Sequence, residues 1–241
     1  MTIYDAIGSA YDLVYPDTAE KVPFVTKLLR TYGKHSVLEL GIGTGLFAVP
    51  LHEAGFDMEG LEISQVMIDV VGQRAPRLKI HKGDMRNYTI NRRYDAILAL
   101  SSVLVFVNSE REIQQCLERC YQHLESKGIL LLELPNHSVE IGLSNNNQEV
   151  YHNADQSMIV VIQSAVEGHD WNETWHVFRR DGTAFNHKKT VCQEYLYSPT
   201  SLAAQLEEVG FKIVETHGDL LGSPFDESNS WRRVLICEKR D

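Results

Sequence analysis

Three acids punctuate the first third of the chain. Glu39 precedes Gly41, Gly43 and Gly45, Glu62 follows after 23 residues, and Asp84 after a further 22. The apolar run Val37-Leu38-Glu39-Leu40 breaks into glycines before an amphipathic stretch, which reads as a strand turning tightly into a helix. Positions without side chains let backbone come close to a ligand. The spacing is G-x-G-x-G, and Leu46 stands where the dinucleotide fingerprint has its third glycine. Glu39 would repel a pyrophosphate and could hold an ammonium group. Glu62 lies where an acid accepts both hydroxyls of a ribose. Asp84 is placed for the exocyclic amine of adenine, with the Met85 amide reaching a ring nitrogen and Ile63 and Met85 enclosing the base. Tyr11, Met67, Arg86, Leu100 and Ser101 complete this expected site. The chemistry implied is the binding of a nucleoside-like ligand.

Three acids can face one crevice only if neighbouring parallel strands carry them at their carboxyl ends, where open α/β sheets bind ligands. The rhythm of the chain supplies such strands. Leu46 to Ala54 reads as a helix stopped by Gly55, with Pro50 tolerable in its first turns. Phe56 to Glu62 reads as a strand, and Ser64 caps a helix carrying Val66, Met67, Val70 and Val71. Leu78 to His81 is a third strand. Tyr94 to Leu100 is nearly all apolar, as in a strand buried on both faces. Ser109-Glu110-Arg111-Glu112 has the capping-box form and opens a helix that buries Ile113, Cys116, Leu117, Cys120 and Leu124. Gly128 ends that turn before a fifth strand, Ile129 to Leu134. Ser198-Pro199 opens a last helix that stops at Gly210, and two strands close the chain.

Residues 138 to 157 are polar and Asn-rich and read as an exposed loop. Met158 to Ala165, Asn172 to Arg180 and Ala184 to Tyr197 then read as strands, with turns at Gly168-His169-Asp170 and Asp181-Gly182. The expected fold is α/β: a doubly wound, mostly parallel seven-stranded Rossmann-like sheet, with an antiparallel β insertion between strand five and the last helix. Residues 1–137 and 198–241 would form the nucleoside-binding domain, and 138–197 an inserted lid or dimerisation element.

The 241 residues suffice for a full core, and 43% hydrophobic with 23% charged content is ordinary for a globular protein. A net charge of −10 argues against nucleic acid or an anionic membrane and fits a small neutral or cationic substrate. Cys116, Cys120, Cys192 and Cys237 form no CxxC pair and no metal-ligand spacing, so they read as buried small side chains. Met1 to Asp5 lacks the basic and apolar regions of a signal peptide, and no apolar run approaches a membrane span. A cytoplasmic protein without membrane contact, alone or as a homodimer, is the expectation.

Glu39-Leu40-Gly41-Ile42-Gly43-Thr44-Gly45, Gly60-Leu61-Glu62-Ile63-Ser64, Gly83-Asp84-Met85-Arg86-Asn87, Tyr94-Asp95-Ala96-Ile97 and Gly128-Ile129-Leu130-Leu131-Leu132-Glu133 resemble successive motifs of class I S-adenosylmethionine-dependent methyltransferases. Within that superfamily, Tyr11-Asp12-Leu13-Val14-Tyr15 is similar to small-molecule enzymes, among them the amino-sugar and glycine N-methyltransferases. The resemblance implies S-adenosylmethionine as methyl donor and methyl transfer as the activity. Ser101-Ser102-Val103-Leu104 lacks the Asn/Asp-Pro-Pro-Tyr motif of enzymes that methylate DNA amines and protein glutamine. There is no cysteine suited to cytosine C5 chemistry, and no Asp/Asp/Asn set of the kind that holds a metal in catechol-type enzymes. A small-molecule acceptor, most simply an amine nitrogen, is left. Tyr15 and His137 are the candidate catalytic residues, and Ser102, Asn136, Trp175 and Tyr195 the candidate acceptor contacts. A small-molecule O-methyltransferase and a non-catalytic S-adenosylmethionine-binding protein stand as alternatives.

Overall fold

The computed structural model describes Tyr4 and residues 7–16, 18–143 and 147–241. Its core is a seven-stranded sheet built from β1 (Ser36–Leu40), β2 (Asp57–Glu62), β3 (Lys79–Lys82), β4 (Tyr94–Ala99), β5 (Leu124–Pro135), β10 (Phe211–His217) and β11 (Arg232–Lys239), in the order β10-β11-β5-β4-β1-β2-β3. Strands β1 to β5 run parallel, while β11 lies antiparallel to both β5 and β10. The strand order reverses between β1 and β4, and at such a reversal open sheets leave a ligand crevice.

Alternation along the central strands explains the two cores. Leu38 and Leu40 face one side with Ile97, Leu130 and Leu132, where α5 (Glu110–His123) adds Ile113, Cys116, Leu117 and Cys120 and α7 (Pro199–Val209) adds Leu202 and Leu206. Val37, Ala96, Leu98, Ile129 and Leu131 face the other, under α2 (Thr18–Thr31), α3 (Ala48–Glu53) and α4 (Gln65–Arg74). Each such side chain contributes about 1.5–3 kcal/mol by leaving water. Three serine hydroxyls cap helices as expected: Ser64, Ser109 and Ser198 accept from the backbone N–H of Met67, Glu112 and Ser201. All four cysteines are buried and free.

A separate antiparallel sheet, β6 (Asn147–His152), β7 (Met158–Glu167), β8 (Asp170–Asp181) and β9 (Ala184–Tyr195), interrupts the chain between β5 and α7. Two expectations change here. The stretch read as a loop, 138–157, holds α6 (His137–Leu143) and β6. Strand β6 is an exposed edge paired only with β7, so its polar composition carries no strand signature. Strand β5 also starts at Leu124 rather than after Gly128, with Lys127 at φ +57° and a register shift against β4.

The inner face of the inserted sheet packs Val160, Ile162, Trp175, Val177 and Cys192 against Ile7, Ala10, Val14 and Met67. The N-terminal segment, with its short helix α1 (Tyr11–Val14), thus packs between the inserted sheet and Met67 of α4. Among the described residues, no helix is long and apolar enough to cross a membrane.

Candidate active site

After β1 the backbone turns through left-handed conformations, with φ +60° at Gly41 and +56° at Gly43. A side chain at Gly41 would come within 2.3 Å of Val103 Cγ2, so only glycine fits. Glu62 fastens this turn to the tip of β2. Its Oε2 accepts from Gly43 N–H at 2.9 Å, and its Oε1 accepts from Ile63 and Ser64 N–H at 2.9 and 2.8 Å.

A cavity of about 250 Å³ opens beside them. Every residue expected to meet the nucleoside lines it except Glu39 and Gly45, so Tyr11, Gly41, Gly43, Glu62, Ile63, Met67, Asp84, Met85, Arg86, Leu100 and Ser101 share one space. Gly45 instead lets helices close up, since a Cβ there would lie 2.7 Å from Val71 Cγ2 and 2.9 Å from Val49 Cγ2. Glu39 is buried outside the lining. Burial pushes its carboxyl up to about 8 against a backbone hydrogen bond from Ala48, and Glu62 adds to the rise. Its Oε2 has no hydrogen-bond partner among the described residues. That oxygen is an open acceptor behind the glycine turn, set back from the cavity itself. Asp84 lines the cavity but is already engaged: Arg86 Nε lies 2.9 and 3.1 Å from its two oxygens, and this pairing holds the carboxyl below its usual range. Arg86 in turn reaches Glu112 at 2.6 Å.

The N-terminal segment closes over the glycine turn. Thr44 Oγ1 donates to Asp12 Oδ1 at 2.5 Å, and Arg74 joins Asp12 while donating to the Thr44 carbonyl at 3.0 Å. Tyr4, Tyr11, Ser101 and Phe106 border both this cavity and a second one of about 70 Å³. At that junction Ser101 and Ser102 hold φ +50° and +58°, a left-handed pair of a kind that costs non-glycine residues about 1 kcal/mol or more each. The Ser101 N–H donates to Glu133 Oε2 at 2.7 Å. The Tyr11 hydroxyl bonds the Ser101 side chain, and burial keeps it protonated by pushing its pKa well up.

The second cavity gathers Tyr15, Ser102 and Trp175 at the inner face of the inserted sheet. It also gathers Glu133, Glu173, Glu194, Trp171 and Arg232, which sequence reasoning did not single out. Three expected acceptor-side residues lie elsewhere. Asn136 is a structural clamp, its Nδ2 donating to the carbonyls of Glu227 and Ser230 at 2.9 and 2.8 Å. His137 borders a separate crevice and packs its ring 4.9 Å from that of His169. Burial and His169 lower its pKa. Tyr195 stacks on His169 at 5.3 Å and lines neither cavity. Strand-end position suggests a base at His137, but the β5 residue that lines the second cavity as an acid lies two turns of the pleat earlier, at Glu133. Glu133 shares the sign that marked Glu39, an acid inside an apolar strand. Glu173 and Glu194 carry no such sign, because only strand register puts them on one face.

A family model described as "Methyltransferase domain" matches residues 18–216. The chain is 29% identical over 133 residues to a dTDP-3-amino-3,6-dideoxy-alpha-D-glucopyranose N,N-dimethyltransferase of Streptomyces fradiae, covering 53% of this chain and 52% of that protein. It is 29% identical over 135 residues to a glycine/sarcosine N-methyltransferase of Aphanothece halophytica, covering 54% and 51%. The chain spans about half the length of the curated relatives it matches. Among solved structures, an S-adenosylmethionine-dependent methyltransferase from Clostridium acetobutylicum superposes with a TM-score of 0.86 at 16% identity over 100% of both chains. The CcbJ methyltransferase from Streptomyces caelestis superposes with 0.84 at 22% identity over 98% and 97%. At these identities the likeness is one of fold.

Proposed function

Because the chain belongs to the methyltransferase-domain family, we propose that it transfers a methyl group from S-adenosylmethionine to an amine nitrogen of a small molecule. One observation carries this reading. A nucleoside-sized cavity with the Glu62 and glycine-turn geometry meets a smaller aromatic and acidic cavity at Tyr4, Tyr11, Ser101 and Phe106. The names of the relatives, several of them N-methyltransferases of amino sugars or glycine, support nitrogen as the acceptor atom.

When bound, S-adenosylmethionine supplies an electrophilic methyl group on a sulfonium. The residues of the chain hold what reacts. In this reading Glu62 takes the ribose hydroxyls and Ile63 and Met85 the faces of the base, while Glu39, behind the glycine turn, acts on the ligand's ammonium only from outside the lining. Tyr11, Ser101 and Glu133 form a hydrogen-bonded chain across the junction and fix its width. Tyr15, Ser102 and Trp175 shape the space in which an acceptor nitrogen would be oriented. Orientation is the main requirement of an in-line displacement with a good leaving group.

The test is incubation with methyl-labelled S-adenosylmethionine and a panel of small amines and matched alcohols. Label on nitrogen is expected. Failure of the protein to bind S-adenosylmethionine or S-adenosylhomocysteine by calorimetry would overturn the reading.

A further inference from the structure

The walls of the second cavity are charged in an unusual way. In the register of β8 and β9, Glu173 pairs with Cys192 and Trp171 pairs with Glu194, all on the inner face. The carboxylates of Glu173 and Glu194 and the Cys192 sulfur lie within 4.8 Å of one another. Their hydrogen-bond donors are neutral: Trp175 Nε1–H reaches Glu173 at 2.7 Å, and the Cys192 thiol reaches Glu194 at 3.6 Å. Arg232 of β11 faces the pair but directs its guanidinium to Glu140 of α6 at 3.4 Å. Glu149 of β6 adds more negative charge, and Tyr4 and Tyr15 face the pair from the N-terminal segment.

A second observation is independent of the acids. Trp171 Nε1 is buried in the same wall without a hydrogen-bond partner among the described residues, a donor open to an acceptor oxygen elsewhere on the bound molecule. Tyr4, Tyr11, Tyr15, Trp171 and Trp175 surround the space with aromatic rings. Lys21 of α2 also lines the space, so three carboxylates, Glu133, Glu173 and Glu194, face two cations, Lys21 and Arg232. Aromatic faces beside such an excess of carboxylate are the chemistry that recognises an organic ammonium. A metal ion fits less well, because burial keeps the Cys192 thiol protonated and its hydrogen is directed at Glu194.

We propose that the acceptor enters as a protonated amine, that the Glu173–Glu194 pair binds its ammonium group, and that Glu194 takes its proton. The inference rests on the methyltransferase reading and names the acceptor class for that site. The step balances simply: an N–H bond of the ammonium breaks, the proton forms an O–H bond on the Glu194 carboxylate, and the nitrogen keeps the electron pair. That freed pair is what methyl transfer requires. Burial first, and then repulsion from Glu173, raises the Glu194 pKa, which makes it a better proton acceptor than a solvated carboxylate.

The test uses cyclohexylamine and cyclohexanol as probes on the full chain, with and without S-adenosylhomocysteine, by calorimetry and tryptophan fluorescence. The amine should bind about tenfold or more tightly than the alcohol, and Glu194→Gln should remove that preference while leaving the nucleoside affinity within about twofold. Glu194→Asp should restore part of it, and Glu173→Gln should weaken amine binding as well. At about pH 9, above the value of about 8 to which Glu194 is raised and with the amine still cationic, the wild type should release little or no proton to buffer on amine binding. The Glu194→Gln variant should release a clearly larger fraction of a proton, because Glu173 alone holds the ammonium less well and more of the amine binds neutral. Equal affinity for amine and alcohol, absence of amine binding, or unchanged binding in both glutamine variants overturns the proposal. So does amine binding that vanishes after dialysis against a chelator, which would assign the cluster to a metal. Failure of S-adenosylhomocysteine to bind, with amine selectivity intact, sinks the methyltransferase reading instead.

Discussion

Glu59 and Glu194 are buried to a similar degree, 4% and 8% exposed, in opposite surroundings. Around Glu59, in the middle of β2, stand His81 Nε2 at 2.5 Å, Arg92 Nη1 at 2.5 Å, the Tyr94 hydroxyl at 2.8 Å and Lys79 Nζ at 3.3 Å. Burial alone would push that carboxyl up, but these four partners outweigh it and hold it at about 2. Around Glu194 the nearest groups are a second carboxylate and a thiol, and burial with that repulsion drives its pKa upward. The first acid sits in a closed knot of the parallel sheet, while the second borders open volume. A buried acid is therefore no sign of function in itself. The sign is a buried acid whose counter-charge is incomplete next to space that a ligand could fill.

The contrast can be broken by mutation. The largest effect expected is on stability at Glu59: Glu59→Gln should lose about 2–4 kcal/mol in urea unfolding near neutral pH, because Arg92 keeps a weaker partner in a buried setting. Its lowered pKa means that the carboxylate's contribution is complete above the ordinary carboxylate range and is lost as pH falls toward 2. The gap between wild type and variant should close over that window. A variant as stable as wild type at pH 7 would erase the distinction drawn here. Next comes Glu62→Ala, which should weaken S-adenosylhomocysteine binding by about 1–3 kcal/mol in calorimetry, the cost of one buried polar partner. Smaller and of opposite sign to Glu59 is Glu194→Gln. A raised pKa makes the folded state lose stability as pH rises, so the variant should be more stable by on the order of 1 kcal/mol at about pH 9 and nearly neutral at about pH 5. Smallest is His137→Ala, which lines neither cavity and should change methyl transfer by less than about twofold.

The nucleoside half of the site was legible because local chemistry wrote it. Glycine spacing, strand-end acids and serine caps are short-range signals that need no partner strand to be read. Even there, the expectation that Asp84 accepts the exocyclic amine of adenine does not include Arg86, which folds back onto its carboxylate. The acceptor half was mostly not legible. Trp175 and Tyr15 could be named as aromatic candidates, but Glu173 and Glu194 are 21 residues apart and meet only through the β8–β9 register. Strand β6 was hidden for a related reason, since an edge strand facing solvent on most of its length needs no apolar alternation.

The inserted sheet leaves its host beyond Pro135 and returns at Pro199, and both prolines line one small crevice with His137 and Tyr197. A segment that departs and rejoins through a single doorway adds little closure entropy to the fold carrying it. Such a segment can be lengthened, shortened or exchanged as a cassette while the parallel sheet that carries it keeps its register.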